Sequence, residues 1–108
     1  YNDPMNTLIN TSLEVMKNNA SKAEQLLKLL ANSKRLLILC YLLKQECTVG
    51  ELEPLVGLSQ SALSQHLAKM RREGVLSVRK EGTRVYYFIS KPEVEAVLST
   101  LYLIYCKE

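Results

Sequence analysis

Two predicted helices separated by a very short turn constrain the fold of this chain most strongly. The first opens at Thr48-Val49-Gly50-Glu51, a capping box in which the threonine hydroxyl and the glutamate satisfy each other's free backbone N–H groups, and it ends at Gly57. Ser59 then caps a second helix, which Gly74 terminates. Two helices joined by a three-residue turn that contains glycine are typical of a helix-turn-helix, which we predict over residues 48–73.

The second helix has two chemically different faces. Leu63, Leu67 and Met70 recur at helical spacing and form an apolar stripe that packs on the core. Short hydrogen-bonding groups and, towards the end, cations occupy the rest of the helix: Ser59, Gln60, Ser61, Ser64, Gln65, Lys69 and Arg72. Serine and glutamine can read base edges in the major groove of DNA, and lysine and arginine contact phosphates. An ordinary solvated helix face is the alternative interpretation.

The charge distribution favours DNA as the partner. Residues 59–91 hold seven lysines and arginines against two glutamates, a net charge of +5, whereas the whole chain has a formal net charge of +3. Positive charge concentrated in one third of the chain is the footprint of a module that neutralises phosphates. We therefore predict that the partner is double-stranded operator DNA. A dimeric module whose basic face binds an acidic protein is a more distant alternative.

A two-stranded hairpin, or wing, is predicted over residues 75–89. Val75–Val78 and Val85–Ile89 are rich in β-branched and aromatic residues, and the connector between them is cationic and contains Gly82. The tip of such a hairpin would lie on the DNA backbone or enter the minor groove, with a plain surface hairpin as the alternative. From this segment we add three cations to the predicted DNA-binding residues: Arg79, Lys80 and Arg84.

The chain before the helix-turn-helix is predicted to form three helices. Asp3-Pro4 has the form of a helix start, and Met5, Leu8, Ile9 and Met16 follow at helical spacing. Ser21-Lys22-Ala23-Glu24 has the capping-box form and is expected to open a second helix, which Asn32-Ser33 breaks, with Ser33 as the next cap. Lys34–Lys44 is apolar nearly all round from Leu36 to Leu43, so this third helix is expected to be the most buried.

A last helix completes a mainly α fold with a small two-stranded wing. Ser90-Lys91-Pro92-Glu93 is a further capping box, and an apolar stripe runs from Val94 to Tyr105. A terminal helix this apolar needs a partner surface. We predict one domain over residues 1–108 that forms a two-fold homodimer through helices near 4–18 and 91–106.

Composition favours a folded, soluble protein. Hydrophobic residues make up 47% of the 108 residues and charged residues 23%. The longest apolar run, Leu36–Leu43, is shorter than the roughly 20 residues that span a bilayer. No secretory signal is visible, and three cysteines do not make an even disulfide framework, so we expect a cytoplasmic protein that does not contact membrane.

Catalysis is not indicated. His66 is the one histidine of the chain and lies at the flank of the apolar stripe, where packing is its expected role. No catalytic triad, acid–base pair or glycine-rich phosphate loop is present, so we expect neither an enzyme nor a cofactor.

The cysteines are the remaining reactive groups. Cys40 lies in the apolar helix and Cys106 four residues after Tyr102, and buried cysteine is commonly just a small hydrophobe. Zinc would need more ligands than these two thiols and their flanks offer, so no metal site is predicted. Cys47 precedes a helix cap and is expected to be exposed and without a role.

The chain resembles the ArsR/SmtB family of bacterial winged-helix repressors over nearly its whole length. The segments that carry the resemblance are LANSKRL at 30–36, VGEL at 49–52, SQSALSQHL at 59–67, and the end of the wing at 82–87. The resemblance implies a homodimer whose first and last helices form the interface. Metal-sensing members carry a Cys-Val-Cys motif where this chain has Val49 and Glu51, or histidines on the last helix, where this chain has none.

A cysteine in the buried helix together with one at the end of the last helix resembles the BigR/SqrR-type persulfide-responsive sensors. This resemblance implies that reactive sulfur species act as inducers: they would join Cys40 and Cys106 in a di- or polysulfide bridge and release operator DNA. Such a reaction requires a thiolate, and no cationic neighbour in sequence explains its activation. A metal-responsive repressor with a non-standard thiolate site is the alternative.

Overall fold

In the computed structural model, which describes residues 4–106 (residues 4–10 by their backbone alone), five helices and a two-stranded antiparallel sheet form a winged helix. The elements follow in the order α1 (Pro4–Leu30), α2 (Ser33–Lys44), α3 (Val49–Val56), α4 (Gln60–Arg72), β1 (Leu76–Glu81), β2 (Arg84–Ile89) and α5 (Pro92–Tyr105). The predicted fold class, mainly α with a two-stranded wing, is confirmed.

The N-terminal region is one long helix, and the predicted second helix start at Ser21 is wrong. α1 runs through residues 17–24 without interruption. A capping box stabilises a helix start only where the preceding chain leaves the helical conformation, and no glycine or proline forces it to do so here. The expected cap at Asp3 and the side chains of Met5, Leu8 and Ile9 lie outside the described residues.

The turn between α1 and α2 is capped by Asn32 and not, as expected, by Ser33. The Oδ1 atom of Asn32 accepts hydrogen bonds from the backbone N–H groups of Lys34 and Arg35, both at 3.0 Å, because Asn32 has extended backbone angles while Ser33 is already helical. Arg35 donates from Nε to the carbonyl oxygen of Leu29 at 2.6 Å. This charged hydrogen bond ties the end of α1 to the start of α2.

α2 is buried on one side only. Ile38, Leu39 and Leu42 belong to the core, but Leu37 keeps 37% of its surface exposed. Among the described side chains, α2 still has the smallest share of exposed residues of the five helices, as expected, and its open side borders α5.

The helix-turn-helix elements form by the predicted local interactions. Thr48 Oγ1 accepts from the N–H of Glu51 at 3.1 Å, and Glu51 Oε1 accepts from the N–H of Thr48 at 2.8 Å. Gly57 ends α3 with φ of 66°, a left-handed angle that glycine adopts without steric cost. Ser59 Oγ then accepts from the N–H of Ala62 at 3.2 Å and caps α4.

The wing strands are longer than the sequence indicated. The strands pair in register from Leu76 opposite Ile89 to Glu81 opposite Arg84, so the turn is reduced to Gly82-Thr83, with φ of 62° at Gly82. The predicted cationic connector is therefore mostly strand, because a two-residue turn lets backbone pairing continue to the tip.

Cys47 extends the sheet and is buried, so its expected exposure is wrong. Its N–H donates to the carbonyl oxygen of Tyr87 at 3.2 Å, and the N–H of Tyr87 donates back at 2.8 Å. The side chain keeps only 2% of its surface exposed. Pairing with a residue 40 positions later decides this burial, and the residues next to Cys47 carry no sign of it.

α5 begins without the predicted capping box. Lys91 occupies the cap position and makes no side-chain cap bond, while Ser90 Oγ donates instead to the carbonyl oxygen of Gly74 at 3.1 Å. Val94 and Leu98 are fully buried, whereas Leu103, Ile104 and Tyr105 are exposed. No helix within residues 4–106 is long and apolar enough to cross a membrane.

Candidate nucleic-acid interface and thiol cavity

The apolar side of α4 fixes which of its residues face outward. Leu63, Leu67 and Met70 are all 0% exposed, as the helical spacing predicted. All seven predicted DNA-binding residues of this segment are exposed: Ser59, Gln60, Ser61, Ser64, Gln65, Lys69 and Arg72. Lys69 Nζ lies 3.5 Å from Glu73 Oε2, an exposed pair that contributes little stability and leaves the ammonium accessible. Their contacts with DNA stay predictions.

His66 lies half-buried at the flank of the stripe. Burial, and next the positive charge of Arg35, lower the pKa of the imidazole. His66 is therefore largely neutral at neutral pH, and it adds little to the positive charge of α4.

The wing cations differ in how firmly they are held. Lys80 and Arg84 are exposed, and Arg84 Nη1 donates to the hydroxyl of Tyr86 at 3.5 Å. Arg79 donates from Nε to Glu46 Oε1 and from Nη1 to Glu81 Oε2, both at 2.8 Å. The Arg79 guanidinium also lies 4.6 Å from the centre of the Tyr86 ring. The predicted phosphate contact of Arg79 stays a prediction, and its side chain already has three partners within the protein.

Cys40 and Cys106 line the same cavity, although 66 positions separate them. The cavity has a volume of about 450 Å³ and lies between α2 and the end of α5. Its other lining residues are mostly apolar: Leu37, Tyr41, Leu43, Lys44, Ser99, Tyr102 and Leu103. All three cysteines are free thiols; Cys40 is half-buried and Cys106 is exposed. The fold thus provides one accessible thiol and one sheltered thiol in a single apolar recess.

The charge of Cys106 acts on the Cys40 thiol. Burial raises the pKa of Cys40, and the negative charge of Cys106 raises it further. Cys40 is consequently held as a thiol at neutral pH, and access favours Cys106 as the group that an external reagent meets first.

Lys44 is a residue of this cavity that the sequence analysis missed. It follows Cys40 by four residues, the spacing that places two side chains on one face of a helix, and it lines the cavity with both thiols. The i, i+4 relationship was visible in the sequence. A lysine ammonium is the type of group that stabilises a thiolate.

Cys47 is chemically distinct from this pair. Burial, and next the charge of Glu51, raise its pKa, and its Sγ lies 3.5 Å from the carbonyl oxygen of Gln45. Over the described part of the chain, no group of three or more histidine, cysteine, aspartate or glutamate side chains could hold a metal ion.

Comparison with known proteins links this architecture to bacterial transcription regulators. The family model described as "Bacterial regulatory protein, arsR family" matches residues 32–78. The transcriptional activator HlyU of Vibrio cholerae is 50% identical over 96 residues, which are 89% of each chain. The solved structure of reduced HlyU from Vibrio cholerae has a TM-score of 0.81 and 50% identity, covering 87% of this chain and 99% of that one.

A second solved structure is similar to the same extent in shape. The transcriptional repressor BigR from Xylella fastidiosa has a TM-score of 0.81 and 33% identity, covering 88% of this chain and 97% of that one. These relatives are transcription regulators and not enzymes.

Proposed function

Because this chain belongs to the arsR family of bacterial regulatory proteins, we propose that it is a transcriptional repressor that senses reactive sulfur species through Cys40 and Cys106. The observation that carries the proposal is the cavity of about 450 Å³ that both thiols line. Two relatives support it in different ways: HlyU has a structure in the reduced form, and BigR is a repressor. HlyU is named an activator, and oxidation that releases DNA would serve either kind of regulator.

Operator DNA would be read by α4 and flanked by the wing. Ser61, Ser64, Gln65 and Lys69 would face base edges in the major groove, with Ser59 and Gln60 at the entrance of the helix. The phosphates would be contacted by Arg72, Arg79, Lys80 and Arg84. The exposure of the α4 side chains opposite the fully buried stripe supports this orientation.

A two-fold dimer would present two such helices to successive major grooves, about 34–36 Å apart. Support comes from apolar side chains that α1 and α5 leave exposed. On α1 these are Leu13, Val15 and Met16, and on α5 they are Leu103, Ile104 and Tyr105. Burying such surfaces against a second copy is the usual way in which an isologous dimer forms.

The chemical step begins at the accessible thiol. The Cys106 thiolate attacks the outer sulfur of an organic persulfide RSSH, which forms a Cys106 persulfide and expels the thiolate RS⁻. Cys40, after losing its proton to solvent, attacks the Sγ atom of that persulfide and expels HS⁻. Two thiols have then been oxidised by two electrons to a disulfide, and the persulfide has been reduced to a thiol and sulfide. A second persulfide that adds sulfur before closure would leave a polysulfide bridge.

The bridge would join α2 to the last turn of α5. α2 leads to the helix-turn-helix and contacts the wing, and α5 carries the exposed apolar side chains proposed for dimerisation. A covalent link between these helices would change the spacing of the two α4 helices and lower operator affinity. Bridging would thus convert a sulfur signal into release of DNA.

Operator binding by two cysteine variants tests the proposal. Fluorescence anisotropy with an operator selected from random duplexes is measured before and after a persulfide donor is added. The unsubstituted protein is expected to release DNA, while Cys40→Ser and Cys106→Ser remain bound. Cys47→Ala is the control, because it removes a thiol outside the cavity and should leave the response intact. Normal release by either cavity variant would contradict the proposal.

A further inference from the structure

The end of α2 is attached to the wing by a side-chain bridge across 33 positions. α2 ends at Lys44, Gln45 caps it, and the next residue, Glu46, accepts the hydrogen bond from Arg79 Nε at 2.8 Å. Both side chains are about half-exposed. The backbone pairing of Cys47 with Tyr87 follows directly. The chain is thus attached to the wing two residues after Lys44, which lines the thiol cavity.

The guanidinium of Arg79 is fixed to both strands of the wing. On its own strand it pairs with Glu81, and on the opposite strand it lies over the ring of Tyr86, which is its register partner. A planar guanidinium with two carboxylates and one aromatic ring has little freedom to reorient. A displacement of Glu46 would therefore move both strands of the hairpin, and not the Arg79 side chain alone.

We propose that Glu46 and Arg79 are positioning residues, which hold the wing in place relative to α2 and transmit movements of α2 to the DNA-binding surface. The holding role stands on the contacts alone. The claim that a Cys40–Cys106 bridge moves the wing through these two residues rests on the proposed function. An exposed ion pair adds little to global stability, so the effect of this one is expected in the docking of the wing and in DNA affinity.

Two variants with identical charge changes separate this role from general electrostatics. Glu46→Gln and Glu81→Gln each remove one carboxylate that lies 2.8 Å from the same guanidinium, but only Glu46 lies outside the wing. Each variant raises the net charge by one, which by itself favours DNA binding. Because Glu81 also lies beside Arg84, a difference in Tyr87 exchange together with lower affinity in Glu46→Gln reports the link between α2 and the wing.

Amide hydrogen exchange of Tyr87 in the reduced protein is the direct readout, because its N–H donates to the carbonyl oxygen of Cys47. Glu46→Gln is expected to speed this exchange and to lower operator affinity on the order of 5-fold, the lower end of typical coupling between sites. Glu81→Gln is expected to leave Tyr87 exchange unchanged and to leave operator affinity unchanged or slightly higher, because of the added positive charge. Equal Tyr87 exchange and equal affinity in the two variants would overturn the holding role.

Transmission is tested by repeating the affinity measurement after persulfide treatment. The loss of affinity on oxidation is expected to shrink several-fold in Glu46→Gln and to persist in Glu81→Gln. An undiminished loss in Glu46→Gln overturns transmission. If oxidation leaves the affinity of the unsubstituted protein unchanged, the proposed sulfur sensing and its transmission both fail. The holding role is then still decided by Tyr87 exchange.

Discussion

Lys44 follows Cys40 by four residues on α2, and both side chains line the cavity that Cys106 borders from α5. This relationship places a cation at the cavity that both thiols line. An ammonium attracts both a thiolate and the anionic form of a persulfide. In the proposed reaction, α2 would thus carry both the second thiol, Cys40, and a cation close to it.

Lys44→Gln is expected to slow bridge formation several-fold, because it removes the cation that lines the cavity with both thiols. Stopped-flow thiol loss at low salt measures the rate. Lys34→Gln is the matched control, because Lys34 is exposed at the start of the same helix and lies outside the cavity. Equal slowing in both variants would show that net charge, and not the position of Lys44, sets the rate.

The pH dependence of Cys40 alkylation is expected to show the influence of Cys106. Burial and the charge of Cys106 raise the pKa of Cys40, so its alkylation rate should still be rising above pH 9.0, the ordinary value for a thiol. Cys106→Ser removes the charge and should shift the profile to lower pH, while burial keeps the pKa above its ordinary value. Iodoacetamide labelling followed by mass spectrometry gives the rates. An unchanged profile in Cys106→Ser would mean that the two groups do not interact.

The same shift has a consequence for stability, and its sign is determined by the direction of the shift. The folded protein favours the protonated form of Cys40, so this shift contributes to the free energy of unfolding. The contribution is fully present below the ordinary pKa of a thiol and is lost as pH rises through the raised pKa of Cys40.

Gln65→Ala and Lys80→Ala are expected to affect DNA binding in different ways. Loss of a base contact at Gln65 should relax sequence preference by roughly 1–3 kcal/mol at one base pair. Loss of a phosphate contact at Lys80 should weaken binding to all sequences alike and reduce the salt dependence. Competition titrations with specific and random duplexes measure both. Equal weakening on the two duplexes by Gln65→Ala would place that side chain away from the base edges.

Leu67→Ala is expected to lower the free energy of unfolding by about 2–5 kcal/mol, because it leaves a cavity beneath α4 where Leu67 is 0% exposed. Gln65→Ala, on the exposed face of the same helix, serves as the control and should change stability by less than about 0.5 kcal/mol. Urea denaturation at constant protein concentration compares them. A similar loss in both would contradict the assignment of the two faces.

Local interactions explain which parts of the fold could be predicted from sequence. The capping box at Thr48 and the spacing of Leu63, Leu67 and Met70 depend on residues within two turns of one another, and both formed as predicted. The box at Ser21 failed for the complementary reason: its pattern is present, but the chain on either side stays helical.

Contacts between distant residues explain the rest. Cys47 is buried by pairing with Tyr87, and Glu46 meets Arg79 across 33 positions. Neither partner is indicated by hydrophobic periodicity or by spacing along the chain. The proximity of Cys40 and Cys106 was predicted only from a family resemblance, because spacing alone does not indicate that residues 66 positions apart line one cavity.

Mass mapping of the three cysteines during release of operator DNA tests the central claim most directly. After a persulfide donor is added, samples are quenched at intervals, digested without reduction, and compared with the fraction of DNA still bound. We expect a cross-linked peptide pair that joins Cys40 to Cys106, directly or through additional sulfur, to appear at the rate at which DNA is released, while Cys47 remains a thiol. Release of DNA while Cys40 and Cys106 remain unlinked would contradict the account.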